Sequence, residues 1–216
     1  MTFVLLPGAC CTSWHWHPLT AELTKRGHDV VPVEIPWQDP EAGLARYVDA
    51  VVDAVGDRPN PVTLVAHSLS GFTAPLVCER LPVGLIVFVA GMIPRPGESV
   101  EEWWTNTAYV APESGDTFFH DLPAELAAEG ERRLTEMLGQ GMSEPWPLER
   151  FPAVPVRAVI GAEDRFFPAD FLRRVTLERL GVEVDEMPGA HFPMLGHPVE
   201  LADLLEGYQD AKPTRP

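Results

Sequence analysis

One serine stands where a buried strand is expected to turn sharply into a helix. The run Val62–Ala66 is apolar and rich in β-branched residues, and it stops abruptly at the polar pair His67-Ser68. Apolar residues then recur at helical spacing, beginning with Phe72. A serine at the apex of such a strand–turn–helix unit can be a nucleophile, because the turn holds its oxygen above the sheet. A serine that caps the helix has the same local sequence, so both interpretations stay open for this stretch alone.

A serine nucleophile needs a base and an acid, and the last third of the chain offers both. A hydroxyl is a weak nucleophile until a neighbouring base takes its proton, and that base needs an orienting acid. Asp164 follows the apolar run Val154–Ile160, and His191 follows the next predicted strand, Val182–Met187. Because functional loops of a parallel sheet gather at the carboxyl ends of its strands, these side chains are predicted to lie near Ser68. Their position favours the nucleophile interpretation.

Four other titratable residues compete for functional roles. Asp170 is a rival acid, but we expect it inside a helix, and His197 is a rival base that lies directly before another helix. His15 and His17 could together suggest a metal site. Side chains two apart on a helix point to different sides, and a zinc site needs three or four ligands. The sequence therefore predicts no metal site.

Strands alternate with helices along most of the chain. The predicted strands are Phe3–Leu6, Val30–Ile35, Val62–Ala66, Val83–Ala90, Val154–Ile160 and Val182–Met187, and predicted helices cover residues 14–26, 41–56, 168–180 and 198–208, with a further one after Ser68. Strands without polar alternation indicate an α/β fold whose mostly parallel sheet, of about six strands, has helices on both faces. The prolines at 32 and 36 suit an edge strand.

Residues 94–153 break this alternation. The segment is rich in Pro, Glu and Gly, yet it carries several large aromatic residues, among them Trp103, Trp104 and Phe118. An irregular segment of this length is either a disordered insertion or a functional lid, and disordered segments are poor in aromatic residues. We therefore expect a single domain over residues 1–216 with a lid or cap insertion at about 94–153, including a helix over roughly 123–139.

The composition limits the classes of partner. The 216 residues suffice for one domain with a full core. A net charge of −16 would repel phosphate backbones and anionic lipid surfaces, so we expect neither nucleic acid nor a membrane as partner. Cys10, Cys11 and Cys78 form no disulfide framework, which favours a reducing compartment. The apolar start is expected to be a strand rather than a signal peptide. We expect a cytoplasmic monomer or homodimer.

Taken together, these motifs resemble the α/β-hydrolase superfamily, in which the triad follows in the order Ser, Asp, His. The chain is most similar to the small esterase and hydroxynitrile-lyase group that includes plant methyl esterases. The resemblance covers nearly the whole chain and is strongest at residues 3–10, 14–16, 27–30, 66–71, 88–91 and 189–193. The chain departs from the family pattern at three places. Ala66 and Ser70 replace the glycines of G-x-S-x-G, Pro7-Gly8 replaces the usual His-Gly, and Phe192 replaces the lysine of the lyases.

The resemblance implies a site as well as a fold. By it, Ser68 is the nucleophile, His191 the base and Asp164 the acid. The backbone N–H groups of Leu69 and Ala9 would form the oxyanion hole, and the position of Leu69 at a helix start agrees, because free N–H groups there favour an anion.

The expected reaction is hydrolysis of an ester of a small, largely apolar carboxylic acid through an acyl-enzyme, without a cofactor. The residues expected to shape the substrate pocket are Cys10, His67, Met92, Trp103, Trp104, Phe118 and Phe192. Fold does not fix function, so other functions stay open. These are a thioesterase or lactonase with the same triad, a lyase or other biosynthetic enzyme, and a ligand-binding protein.

Overall fold

Six parallel strands form one sheet in the computed structural model, which describes residues 1–59, 61–112 and 117–210. The strands within these ranges are β1 (Thr2–Leu6), β2 (Asp29–Pro32), β3 (Val62–His67), β4 (Val83–Val89), β5 (Val156–Gly161) and β6 (Asp185–Met187). Their spatial order is β2-β1-β3-β4-β5-β6, and each neighbouring pair is parallel. The carboxyl ends of β3, β5 and β6 therefore meet at one edge.

The helices between these strands are mostly short. They are α1 (His17–Lys25), α2 (Leu44–Val55), α3 (Ala74–Val77), α4 (Val100–Asn106), α5 (Ala124–Arg132), α6 (Ala169–Leu180), α7 (Pro193–Gly196) and α8 (Pro198–Asp210). Three 3-10 turns cover Ser13–Trp16, Ser68–Gly71 and Gln140–Met142. Within the part of the chain that the structure describes, no helix is long and apolar enough to cross a membrane.

The sheet is buried on both faces, as the apolar strands predict. Alternate residues of a strand point to opposite faces, so Val4 and Leu64 pack on one side with α2 and α6, while Leu5 and Val65 pack on the other. The second side is covered by α1 and α8, whose apolar residues share that cluster. Two such layers around one sheet hold the carboxyl edge of the strands firmly in place.

The structure shortens several predicted elements. The helix predicted over 14–26 begins with a 3-10 turn and becomes α-helical at His17, with Pro18 in its first turn, where proline needs no intrahelical donor. The helix after Ser68 is also divided, into the turn Ser68–Gly71 and the short α3. The last strand covers only Asp185–Met187 instead of the expected 182–187.

The segment between β4 and β5, called the lid below, contains more helix than predicted at its start and less later. An unpredicted helix, α4, begins after Ser99, whose hydroxyl accepts a hydrogen bond from the Glu102 N–H while the Glu102 carboxylate reaches back to the cap. The helix predicted over 123–139 ends at Arg132. Residues 113–116 of the expected lid lie outside the described part of the chain.

Candidate active site

Ser68 sits in a strained turn directly after β3. Its φ is 50°, in the left-handed region that residues with a Cβ atom rarely adopt. Its carbonyl accepts a hydrogen bond of 2.9 Å from the Met92 N–H in the loop after β4. The last residue of the turn, Gly71, must be a glycine, since a Cβ atom there would lie 2.0 Å from the Met92 carbonyl oxygen. These contacts hold the serine at the carboxyl edge of the sheet.

Ser70, which replaces a glycine of the family motif, has a specific partner. Its side chain is fully buried, and its hydroxyl donates a hydrogen bond to the Pro7 carbonyl in the loop after β1. The same loop carries Ala9 and is closed by a 3.1 Å bond from the Cys11 N–H to the Gly8 carbonyl. The Ser70 hydroxyl therefore links the serine turn to the loop after β1, which was expected to contribute to the oxyanion hole.

His191 and Asp164 form a buried hydrogen-bonded pair. The distance from His191 Nδ1 to Asp164 Oδ2 is 2.8 Å, and the two side chains are 2% and 0% exposed. The other carboxylate oxygen of Asp164 accepts from the N–H groups of Phe166 and Phe167, at 2.8 and 2.9 Å. Because the carboxylate accepts, Nδ1 carries the proton, and Nε2 is left as the basic nitrogen of His191.

His67, the last residue of β3, contacts the loop that carries His191. Its Nε2 donates to the His191 carbonyl oxygen at 2.9 Å, since a carbonyl can only accept. Burial holds the pKa of His67 well below its ordinary value, and the neighbouring His191 adds to this effect. His67 is therefore neutral and links β3 to the loop that carries the base.

An apolar cavity of about 240 Å³ opens onto Ser68 and His191. It is lined by Gly8, Ala9, Cys10, Cys11, His67, Ser68, Leu69, Met92, Val100, Trp104, Phe118, Phe119, Leu134, Met142, Phe166, His191 and Phe192. Six of the seven residues predicted to shape the pocket lie on this wall. Leu69 and Ala9, the two expected oxyanion donors, lie on it as well.

Trp103 is the exception, and its assignment to the pocket is wrong. Consecutive helical residues point about 100° apart, so the two adjacent tryptophans of α4 face different surroundings. Trp104 lines the cavity, whereas Trp103 is fully buried and its indole N–H donates to the Ile93 carbonyl at 3.0 Å. Its ring packs against Phe167 and Phe171.

Sequence reasoning missed seven residues of the wall. They are Gly8, Cys11, Val100, Phe119, Leu134, Met142 and Phe166. Phe166 lies two positions after Asp164, so the loop that follows β5 could have indicated it. Leu134 lies just after the end of α5 and Met142 ends the short turn Gln140–Met142, so the helical pattern of the sequence does not show that either side chain faces the cavity.

The rival residues lie in other surroundings. The Asp170 side chain is 97% exposed and pairs with Arg173, and His197 lies 3.7 Å from Glu200 with a side chain 30% exposed. The Nε2 atom of His15 bonds the Gly130 carbonyl at 3.2 Å. Across residues 1–59, 61–112 and 117–210, no group of three or more His, Cys, Asp or Glu side chains is arranged to hold a metal ion.

The fold and this arrangement define a class of protein. The chain belongs to the alpha/beta hydrolase family, whose sequence profile matches residues 3–204. Among curated proteins it is similar to Methylesterase 7 of Arabidopsis thaliana, with 26% identity over 246 aligned residues that cover 94% of both chains. This relationship over nearly the full length, together with the buried acid–base pair, identifies the chain as an enzyme of this family.

Two solved structures share the fold at low sequence identity. Polyneuridine aldehyde esterase superposes with a TM-score of 0.82 at 21% identity, covering 97% of this chain and 99% of that one. Tomato Methylketone Synthase I complexed with 2-tridecanone superposes with a TM-score of 0.72 at 19% identity, covering 97% of each chain. These likenesses show the α/β-hydrolase fold.

Proposed function

We propose that the chain is a carboxylic ester hydrolase that cleaves esters of small, apolar acids with a small alcohol such as methanol. The observation that carries this proposal is the cavity shared by Ser68, in its left-handed turn, and the hydrogen-bonded pair His191–Asp164. The methylesterase relative supports the choice of a small alcohol.

The first half of the reaction forms an acyl-enzyme. The Ser68 oxygen attacks the ester carbonyl carbon while Nε2 of His191 takes the hydroxyl proton. Asp164 stabilises the resulting imidazolium through Nδ1. The oxyanion of the tetrahedral intermediate is stabilised by the N–H groups of Leu69 and Ala9. When the intermediate collapses, the carbon–oxygen bond to the alcohol breaks and His191 donates its proton to the leaving alcohol.

The second half returns the enzyme to its starting state. A water molecule gives a proton to Nε2 of His191 and attacks the acyl carbon. The new tetrahedral intermediate collapses, the bond to the Ser68 oxygen breaks, and the serine recovers its proton from the imidazolium. The acid leaves as the product, and no redox step or cofactor enters this sequence.

The wall of the cavity supports an apolar acid as substrate. Its members include two phenylalanines of the lid, a third after Asp164 and a fourth after His191. Within residues 1–59, 61–112 and 117–210, no Lys, Arg, Asp or Glu lines it. A charged acid chain would lose its hydration there without a partner, which costs several kcal/mol. A volume of about 240 Å³ suits an acid no larger than a small ring system or a short chain.

A fluorophosphonate probe tests the nucleophile directly. We expect the parent protein to be labelled and Ser68→Ala to show no labelling, because the probe forms a bond with the activated serine oxygen. Ser143→Ala is the matched control, since Ser143 is exposed and should leave labelling at the parent level. Absence of labelling of the parent protein would overturn the proposal.

A substrate panel then separates the esterase from its alternatives. We expect methyl esters of aryl or short alkyl acids to be hydrolysed faster than esters of dicarboxylic acids. Thioesters and lactones of the same acids are measured beside them, because the same triad could cleave them. Faster turnover of a thioester or lactone than of every matched ester would replace the proposed substrate class.

A further inference from the structure

Three hydrogen bonds from the lid end on the backbone beside the acid and the base. The Asp121 Oδ2 atom accepts from the N–H of Ala190, the residue before His191, at 2.8 Å. Nε2 of His120 donates to the carbonyl of Glu163, the residue before Asp164, at 3.1 Å. The Tyr109 hydroxyl donates to the Phe166 carbonyl, two residues after Asp164, at 2.8 Å. The lid therefore contacts the backbone next to both His191 and Asp164.

Backbone hydrogen bonds align the loops after β5 and β6 with each other as far as Gly189. The Ala162 N–H donates to the Met187 carbonyl at 2.8 Å, and the Glu163 N–H donates to the Gly189 carbonyl at 3.0 Å. Beyond these bonds the loop after β6 turns at Gly189, whose φ of 103° is a conformation that residues with side chains rarely adopt. After this turn His67 of β3 holds the carbonyl of His191, and the Asp121 carboxylate of the lid accepts from the N–H of Ala190 between the two.

Asp121 uses only one of its two carboxylate oxygens in this attachment. Its second carboxylate oxygen, Oδ1, is buried and has no hydrogen-bond partner among the described residues. Burying a polar atom without a partner is unfavourable, and an apolar side chain would attach the lid to the domain without that cost. A carboxylate at this position is explained if its hydrogen bond from the Ala190 N–H does more than attach the lid to the domain.

We propose that Asp121, assisted by His120 and Tyr109, is a positioning residue that sets the distance and angle between His191 and Asp164. The lid then has a second role besides covering the cavity. Its contacts hold His191 and Asp164 in the relative position that proton transfer needs. The inference rests on the proposed function. It concerns the backbone beside the reacting groups, and none of the three lid residues is among those that line the described cavity wall.

Asp121→Ala and Asp121→Asn test the proposal, with Glu125→Ala as matched control. The alanine variant removes the acceptor of the Ala190 N–H, the asparagine variant keeps an oxygen in that place, and Glu125 is an exposed acidic residue of α5. With a p-nitrophenyl ester we expect kcat of Asp121→Ala to fall about tenfold or more while KM stays within about twofold. Asp121→Asn should recover most of the rate, and Glu125→Ala should match the parent. A parental kcat in Asp121→Ala, or a loss confined to KM, overturns the proposal.

A second measurement does not depend on turnover. The proton between His191 Nδ1 and Asp164 gives a low-field proton NMR resonance, which His191→Ala assigns. We expect this resonance to shift or broaden in Asp121→Ala and to stay unchanged in Glu125→Ala, and an unchanged resonance in both overturns the proposal. If the parent hydrolyses no ester while the resonance responds to Asp121→Ala, the proposed function fails and the positioning role stands.

Tyr109→Phe replaces the alanine variant if the latter does not fold. It removes one hydroxyl from an otherwise unchanged aromatic ring and frees the Phe166 carbonyl. We expect a smaller loss of kcat than for Asp121→Ala, with KM unchanged and a shifted low-field resonance. A parental kcat together with an unshifted resonance in Tyr109→Phe overturns the proposal.

Discussion

Two buried acid–base pairs occupy different regions of the molecule. Glu98 at the start of the lid pairs with Arg179 at the end of α6, with side chains 3% and 2% exposed. Asp164 pairs with His191 at the carboxyl edge of the sheet, with side chains 0% and 2% exposed. By burial and by pairing the two are alike, so neither property separates a structural pair from a catalytic one.

The two pairs differ in whether a hydrogen-bonding atom remains without a partner among the described residues. Glu98 also accepts from the Arg95 N–H at 3.1 Å and from Asn106 Nδ2 at 2.9 Å, and Arg179 also donates to the Ile93 carbonyl. Burial raises the pKa of Glu98, but the hydrogen bonds from Arg179 and Asn106 outweigh it and leave the pKa below its ordinary value. The pair is an anchor between the lid and α6.

His191, in contrast, bonds Asp164 through Nδ1, which leaves Nε2 as a basic atom in a residue that lines the same cavity as Ser68. Such a remaining basic atom beside a cavity is what marks a site. Breaking the first pair should therefore cost stability, and breaking the second should cost activity.

The largest expected effect follows from Asp164→Asn. The amide can still accept from the Phe166 and Phe167 N–H groups, but its NH₂ group cannot accept the Nδ1 proton of His191, so the imidazole is held in the wrong tautomer. We expect kcat to fall about 10⁴-fold while the melting temperature stays close to that of the parent. Ester hydrolysis and thermal unfolding are measured together, with the exposed Asp170→Asn as control. A large loss of stability with little loss of rate would reverse the two assignments.

Arg179→Met tests the other pair. It leaves the buried Glu98 charge without its cation, and we expect a loss of about 3–5 kcal/mol in the free energy of unfolding. The double variant Glu98→Gln/Arg179→Met should regain part of this loss, because the amide carries no charge to bury. Urea unfolding measures both, and Arg150→Met, at an exposed position, is the control. Parental stability in the single variant would contradict an anchoring role.

The smallest effect concerns pH. Burial lowers the pKa of His67 and of His15 from the ordinary value of 6.5, so between the folded and unfolded pKa values the unfolded chain binds more protons. Stability therefore falls as the pH drops below about 6.5, by at most about 1.4 kcal/mol per pH unit for each group. Glu98 adds nothing in this window, since its pKa lies below 4.5.

Melting temperatures between pH 8 and pH 5.5 measure this slope. We expect His15→Gln to flatten it, because one of the two buried imidazoles is then absent. His17→Gln, which changes an exposed histidine, should leave the slope as it is. A parent protein whose stability rises as the pH falls through this range would contradict the assignment of neutral, buried imidazoles.

The sheet and the order of the site residues could be predicted because they depend on local patterns. An apolar run that stops at His67-Ser68, and polar residues directly after two late strands, are visible without knowledge of any contact. The start of α4 was visible in the same way, since Ser99-x-x-Glu102 is a capping box.

A lid insertion was predictable, but the path of the chain within it was not, because contacts with distant residues decide that path. Leu134, Met137 and Leu138 continue the helical pattern of α5, yet the chain leaves the helix after Arg132. The Thr135 N–H donates to the Cys10 carbonyl, and the Leu138 N–H donates to the Trp37 carbonyl. Backbone bonds to other loops here outweigh the local preference for helix, and no pattern within the lid indicates them.

The part of the cavity wall that the structure describes contains no Lys or Arg, which has a consequence for the end of the proposed reaction. An ester enters as a neutral molecule, whereas the acid that hydrolysis produces is an anion at neutral pH. The N–H groups of Leu69 and Ala9 can donate to this carboxylate, but no lysine or arginine on the described wall supplies a counterion. The reaction thus converts a neutral ligand that suits the cavity into a charged one that suits it less, and the enzyme should show weaker binding of its acid product than of the ester.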